Sequence, residues 1–544
     1  MHLALAAGIV TTILVVIGAA AFALWVLAHP PLPGLFSDSI NYLQIADYFA
    51  ASFDGTVDDS HREQFAATRF PPLYSLVLAA AGAGLQQWNQ AINLSAFLVG
   101  AYVVLALAWL RQQTGALALA FLLVPIAVLA PQITEWLLLP LSEPLYAIIV
   151  LGALLAAGSR TTPVLAAAAL VALAPLCRSA GLALVIAFVA WLATHRDVTP
   201  ARRMLGVVIA ALPAAGWALY RSTQPVLGGY AESLSIEATI HAAGGIGAFA
   251  VQQALALHDG AAAWLDPALS GATRALVLVL AVPVIAGLVL RARDRKLDAW
   301  YLLIYLGIVA IWPYPNETAR LLSVAAPMLA IAAWTAIGTA VGRLRPALPR
   351  HLAQGYAALA LCAVALAGSF GAYQRLLERT GSDVPADLEP ARRWTLYLET
   401  PDPTAANDWA ETLVRTAYLV DEIATAIPPG ACVYTTFRAL VDMRAGYAFR
   451  TVETPVGMRG DEAVATMTAC DHVLVTQLGS PQRAQPPLYP LGLLGQRATV
   501  VLASEGERHG HGVLFAALVR IEREPAPDTA GPRTHEGAAP DRQD

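Results

Sequence analysis

Apolar runs about as long as a bilayer is thick recur through the first 372 residues, broken by short polar loops. At about 20 apolar residues per crossing, they predict helices near 5–28, 90–110, 116–131, 143–158, 163–176, 180–194, 204–220, 273–290, 299–313, 321–341 and 353–372. That makes about eleven spans, several of them short. The first reads as a retained span rather than a secretory leader. Its apolar run exceeds a leader's apolar core, no basic segment precedes it, and further spans follow.

Two patterns between the first and second spans are of another kind. Tyr42, Ala46 and Tyr48 recur at helical spacing on a short segment, which predicts a helix lying in the membrane interface. The run from Leu76 to Leu85 is interrupted by glycines and too short to span comfortably, so it is expected along the membrane surface. From Tyr373 onward long apolar runs stop. A helical pattern over 405–427 ends at Pro428-Pro429-Gly430, and Cys432 to Thr435 and His472 to Thr476 read as strands. The expected organisation is a polytopic α-helical membrane domain over 1–372, a small soluble α/β domain over 373–524, and a disordered tail over 525–544.

Composition agrees: 57% hydrophobic and 13% charged residues lie outside the range of a soluble globular chain. The net charge of -5 and the absence of a basic stripe argue against nucleic acid as a partner. Charge also orients the spans. Arg111, Arg160, Arg196, Arg202, Arg203, Arg291, Arg293, Arg295, Lys296, Arg343, Arg345 and Arg350 crowd one set of short loops. The longer alternate set holds only Arg62, Arg69, Arg178, Arg221, Arg274 and Arg320. Basic residues collect on the cytoplasmic side, so the interval 30–74, the loop 221–272 and everything after about 372 are expected outside. The expected location is the inner (cytoplasmic) membrane, multi-pass, with the site and the C-terminal domain facing the periplasm.

Candidate chemistry lies in those outer loops. The interval 30–74 carries Asp38, Asp47, Asp54, Asp58, Asp59 and Glu63. Asp38, in Ser37-Asp38-Ser39, reads either as a helix N-cap or as a base accepting a proton from a hydroxyl. Arg69, in Arg69-Phe70-Pro71-Pro72-Leu73-Tyr74, reads as a lipid-phosphate contact or as a snorkelling side chain before a Pro-initiated helix. Ser142-Glu143-Pro144 has the form of an ordinary helix start. Arg178 and Arg320 read as phosphate ligands, since a guanidinium stays charged and binds phosphate bidentately, or as interface anchors. Asp58, Asp59 and His61 are hard-metal ligand types, but a solvated loop explains them better. Cofactors are accordingly none, with a divalent metal not indicated. The four cysteines form no metal-binding spacing; Cys432 and Cys470 suit either a disulfide or buried thiols.

Taken in order, Ser37-Asp38-Ser39-Ile40-Asn41-Tyr42, Arg69 to Tyr74, Ser142-Glu143-Pro144, Cys177-Arg178-Ser179-Ala180-Gly181 and Arg320-Leu321-Leu322 with Pro327 resemble motifs of the GT-C superfamily. These are polytopic glycosyltransferases that use polyprenyl-phosphate sugars, and include bacterial relatives of protein mannosyltransferases and aminoarabinose transferases. The resemblance covers about residues 1–370. It departs from the family in lacking an obvious paired-acid motif at Asp38 and a Thr-Arg-Pro-type sequence around Arg178. It implies a hexosyl- or pentosyltransferase that moves a sugar from a polyprenyl-phosphate donor to a glycan, lipid or protein hydroxyl, with inversion. Asp38 would be the general base, and Arg69, Tyr42, Tyr74, Glu143, Arg178 and Arg320 would bind the donor phosphate or substrate. A transporter or flippase for a lipid-linked precursor, or a non-catalytic membrane scaffold, would share the helices and outer arginines. Transporters, however, tend to show repeated halves with polar residues at mid-membrane, and neither is evident.

Overall fold

In a computed structural model the protein is described over residues 37–57, 70–128, 139–159, 164–195, 198–223, 243–264, 271–312, 317–380, 403–435, 438–446, 448–452, 467–476, 498–508 and 510–522, with a few single positions between them. The span expected over 5–28, Arg69, Asp58, Asp59 and the tail from 525 lie outside the described residues.

Each later run predicted as a span is a helix. Among the described residues two helices precede them, α1 (Ser37–Asp54) and α2 (Leu73–Ala80). Then come α3 (Trp88–Thr114), α4 (Leu117–Val128), α5 (Glu143–Gly158), α6 (Val164–Cys177), α7 (Leu182–Thr194) and α8 (Pro200–Ser222). After α9 (Ile246–Ala262) follow α10 (Gly271–Arg293), α11 (Leu297–Ala310), α12 (Thr318–Leu344) and α13 (Arg350–Thr380). Among the described residues, α3, α8, α10, α12 and part of α13 are long and apolar enough to cross a membrane; α4, α5, α6, α7 and α11 are shorter. The chain is a polytopic helical membrane protein.

Burial separates the roles of these helices. In α12, 83% of the apolar window is buried, against 11% in α8, so α12 is an inner helix and α8 a peripheral one. Met204, Leu205, Val208 and Leu212 of α8 and Leu278, Val279, Val282 and Ile285 of α10 are exposed. Such apolar surface in water would be an interaction or aggregation site; here lipid covers it. Helices in lipid associate by close packing of small residues. Gly287 of α10 illustrates this, because a Cβ there would collide with the Ala332 carbonyl of α12.

The described residues divide into two compact units. One is helical and ends at Val414 but also includes Ala439–Tyr447; the other is built on Arg415–Arg438, Ala448–Thr454 and the described residues that follow. Late in the chain α14 (Pro403–Ala426) precedes β1 (Cys432–Thr435), α15 (Arg438–Ala445), β2 (Arg450–Val452), β3 (His472–Thr476), β4 (Ala498–Arg508) and β5 (His511–Ile521). The sheet runs β2-β1-β3-β5-β4. Its β1 is parallel to β2 and β3, while β5 is antiparallel to β3 and β4. Both strands predicted from sequence, β1 and β3, are there, in the middle of the sheet. Cys432 and Cys470 form a disulfide, with Cα atoms 4.9 Å apart.

Helix α15 belongs to the helical unit, and it meets α1. Gln44 Nε2 of α1 donates to Asp442 Oδ2 at 2.7 Å, with both residues buried. Gln86 Nε2 donates to the Met443 carbonyl at 3.1 Å. On another turn of α1, Asp47 Oδ2 accepts from the Leu85 amide at 3.3 Å, in a space that only Gly84 leaves open, since a Cβ there would strike the Asp47 carboxylate. The helix that carries Asp38 is thus tied down at Gln44 and Asp47.

Candidate active site

Four chain segments, opening at Asp38, Ser142, Arg178 and Glu317, bring their polar residues to one place. All four lie in loops or helix ends that loop charge assigns to the same side.

Asp38 is in the first turn of α1, with its carboxylate 3.4 Å from Arg320 Nη2. One turn further, the Tyr42 hydroxyl lies 2.8 Å from Ser142 Oγ. The Tyr42 ring packs 5.0 Å from Tyr74, edge-on, and 4.8 Å from Phe70. Burial, with the Glu143 and Asp38 carboxylates adding to it, pushes the Tyr42 phenol well above its ordinary value, so it stays a hydroxyl.

Ser142 stands at the N-cap position of α5 but makes no side-chain cap bond. Its Oγ instead accepts from Arg178 Nη1 at 2.9 Å. The motif that reads as an ordinary helix start has its polar atoms turned to the cluster. Glu143, the next residue, is fully buried. Its Oε2 is 2.8 Å from Arg178 Nη1 and its Oε1 is 3.0 Å from Arg320 Nε, so one carboxylate bridges two guanidinium groups. A buried carboxylate persists only when paired in this way.

Arg178 owes its place to a tight turn. After α6, Ser179–Gly181 form a single 3-10 turn leading into α7. Gly181 folds back on the end of α6 so closely that a Cβ would overlap the Ala174 backbone. The Cys177 thiol adds a bond to the Ser142 carbonyl at 3.6 Å. Burial works against the Arg178 charge, but Glu143 outweighs it and holds the guanidinium protonated above its ordinary range. Behind this layer, the Tyr146 hydroxyl donates to the Ala180 carbonyl at 3.1 Å and lies 3.2 Å from Tyr301 Oη, and Tyr305 Oη donates to the Leu321 carbonyl at 2.8 Å.

Arg320, in the first turn of α12, gathers three carboxylates: Glu143, Asp38, and Glu317 at 3.3 Å. Glu317 also accepts from Trp312 Nε1 at 3.0 Å. The sequence shows no paired acid beside Asp38; the structure sets a second carboxylate, 279 positions later in the chain, on the same guanidinium nitrogen. Glu317 and Arg320 stand at i,i+3, a spacing that brings side chains together on a helix, and that was the signal available for it. Nothing in the sequence linked Tyr146, Tyr301, Tyr305 or Asp442 to the site.

Among the described residues the cluster therefore holds Asp38, Glu143 and Glu317 against Arg178 and Arg320. Asp38 and Glu317 keep 20% and 24% of their side chains exposed, whereas Glu143 keeps none. Chemically, Glu143 is enclosed, and the exposed edge offers Asp38 and Glu317 with Arg320 between them; Arg178 and Arg320 are themselves 14% and 6% exposed. Among the described residues no group of three His, Cys, Asp or Glu side chains is arranged to hold a metal ion.

No protein-family model matches the chain, and no curated protein matches it. Among solved structures the chain is similar to ArnT from Cupriavidus metallidurans bound to undecaprenyl phosphate, at 14% identity, over 92% of this chain and 97% of that one, with a TM-score of 0.45. It is similar as well to ArnT from the same organism in the apo state, at 14% identity, over 94% and 98% of the two chains, with a TM-score of 0.46. Neither likeness assigns a role to any residue of this chain.

Proposed function

We propose that the protein is a membrane glycosyltransferase of the GT-C type. It moves a hexosyl or pentosyl group from a polyprenyl-phosphate donor to an acceptor hydroxyl at the outer face of the inner membrane, through a domain that crosses the membrane eleven times. The observation that supports this is the convergence of Asp38, Tyr42, Glu143, Arg178 and Arg320, the residues that carry the sequence resemblance, into a single cluster. The Cys432–Cys470 disulfide supports the outward placement of the sheet unit, because such bonds persist in oxidising compartments.

In this reading Asp38, partly exposed, takes the proton of the acceptor hydroxyl, whose oxygen attacks the anomeric carbon from the face opposite the phosphate. The bond to the phosphate breaks with inversion. Negative charge gathers on the departing phosphate, and Arg320 and Arg69 stabilise it where it develops. Arg178, locked onto Glu143 and Ser142, sets the position of Arg320 through their shared carboxylate. A long lipid tail is costly to withdraw into water, which explains why the chemistry sits on a membrane scaffold.

Mass analysis of envelope glycans from cells lacking the gene identifies the missing sugar and acceptor, and the Asp38→Asn variant then tests the base. A lost general base lowers transfer by roughly 100-fold or more. Transfer by folded Asp38→Asn protein at the parent rate would refute the assignment and favour a transporter or scaffold.

A further inference from the structure

Arg320 is held unevenly. Its Nε lies 3.0 Å from the buried Glu143, while Nη2 is shared between the partly exposed Asp38 at 3.4 Å and Glu317 at 3.3 Å. Arg178 sits at 2.8 and 2.9 Å from its partners. The two contacts at Nη2 are the longest of the cluster's ion pairs, beyond the roughly 2.7–2.9 Å of a short charge-assisted bond, and the one to Asp38 is a hydrogen bond. Both partners in these long contacts are partly exposed. Glu317 is also anchored by Trp312 Nε1 at 3.0 Å, which keeps it in place when Arg320 turns to another anion.

We propose that Arg320 is an anion-operated latch on Asp38, and that Glu317 is the positioning residue that keeps the latch exchangeable. Without donor, Nη2 pairs with Asp38 and holds its carboxylate on the guanidinium rather than free for an acceptor hydroxyl. A lipid phosphate competes for the same nitrogen with better charge and bidentate geometry. As the guanidinium moves to the phosphate, the Asp38 carboxylate is released toward the acceptor. Glu317 divides the attraction of Nη2, so the Asp38 contact stays long and is readily given up. No covalent bond changes in this exchange. It makes donor binding the step that arms the base. The inference rests on the reading of Arg320 as a phosphate ligand and Asp38 as the base.

The test is binding of farnesyl phosphate to the purified full-length protein in detergent by titration calorimetry, with inorganic phosphate as a second arm. Removing a carboxylate that competes for Nη2 tightens binding. Asp38→Asn and Glu317→Gln are each expected to bind farnesyl phosphate roughly two- to fivefold more tightly than the parent, the range of a partly exposed ion pair. In an Arg320→Gln background that gain should vanish, because there is no latch to free. Should Arg320→Gln not fold, Arg320→Lys, which keeps a charge for Glu143 and lacks the second guanidinium nitrogen, replaces it. Unchanged or weaker binding in both carboxylate variants overturns the latch, as does a gain that persists without Arg320, which marks a long-range charge effect. A gain for inorganic phosphate but not farnesyl phosphate overturns the lipid as its trigger. Transfer assays separate this from the parent reading. If Asp38→Asn tightens phosphate binding yet transfers at the parent rate, the exchange at Nη2 occurs but arms no base, and the latch is overturned together with the base; if transfer is lost with affinity unchanged, the base stands and the latch alone fails.

Discussion

Glu143→Gln is the sharpest test of how the cluster is held. The substitution keeps the shape of a side chain that is fully buried and removes the charge that bridges Arg178 and Arg320. Those guanidinium groups are 14% and 6% exposed, so water compensates little of the loss. Arg320 retains Asp38 and Glu317, and Arg178 retains Ser142 Oγ. Breaking a buried pair by removing one partner costs about 3–5 kcal/mol. The remaining contacts place this case at the low end, about 3 kcal/mol, which is more than a hundredfold in the folded-to-unfolded ratio. Asp38→Asn removes a carboxylate that is 20% exposed and 3.4 Å from its partner, an interaction of about 1 kcal/mol or less. The assay is unfolding in mixed micelles, with denaturing detergent titrated against tryptophan fluorescence. We expect a large fall in midpoint for Glu143→Gln at unchanged slope and a small shift of either sign for Asp38→Asn. Equal midpoints for the two variants would show that Glu143 is not the keystone described here.

Three further outcomes are expected. Replacing Cys432 and Cys470 by Ser opens a loop with a sequence separation of 38 and should destabilise the sheet unit by about 4 kcal/mol, read as increased protease sensitivity of the 432–521 region. His472, buried in β3 and close to Arg520, has its ionisation pushed below the ordinary value, by burial first and by Arg520 second. The unfolded chain therefore binds the proton more readily, so this contribution to stability is complete above about pH 6.5 and is lost as pH falls toward the folded value; His472→Gln should flatten that dependence in pH-resolved hydrogen exchange. Finally, Arg291→Met with Asp298→Leu should leave transfer intact and stability unchanged or raised, because a well-packed apolar pair often replaces a buried ion pair without loss.

Much of the helical architecture is legible because a 20-residue apolar run has few other uses, and the ten later runs are helices close to where the pattern puts them. What the pattern misses is mostly short or depends on contact, although α9, 17 residues long, lies in what reads as the outer loop 221–272. Helix α15 has only the eight residues Arg438–Ala445, too few for periodicity to show. Strands β4 and β5 mix alanine and glycine with charged residues, and their pairing through Gly510, at φ +78°, is a property of the hairpin as a whole. At the site, the residue types at 38, 143, 178 and 320 are visible, but by spacing alone Asp38 reads as a cap before it reads as a base. Only its distance to Arg320 gives it another partner. Arg178 looks like an arginine in a loop until Gly181 is seen against Ala174, and no rule of spacing foretells that approach.

The same molecule supplies a control for calling this cluster a site rather than a staple. At the other end of the helices, Arg291 Nε donates to Asp298 Oδ2 at 2.7 Å and Arg291 Nη2 donates to Gln113 Oε1 at 2.7 Å, with the two charged side chains 8% and 7% exposed. That pair is balanced in charge, short, and closed to solvent, as a structural ion pair should be, since the attraction repays desolvation only when the geometry is good. The cluster around Arg320 departs from it in two respects. Among the described residues it joins five charged side chains rather than two, and two of its contacts, both to partly exposed carboxylates, are longer than 3.2 Å. A staple gains nothing from long contacts at a solvent-facing edge. The proposed exchange needs them, because Asp38 and Glu317 must give up Arg320 when a phosphate arrives, while the buried Glu143 keeps its place.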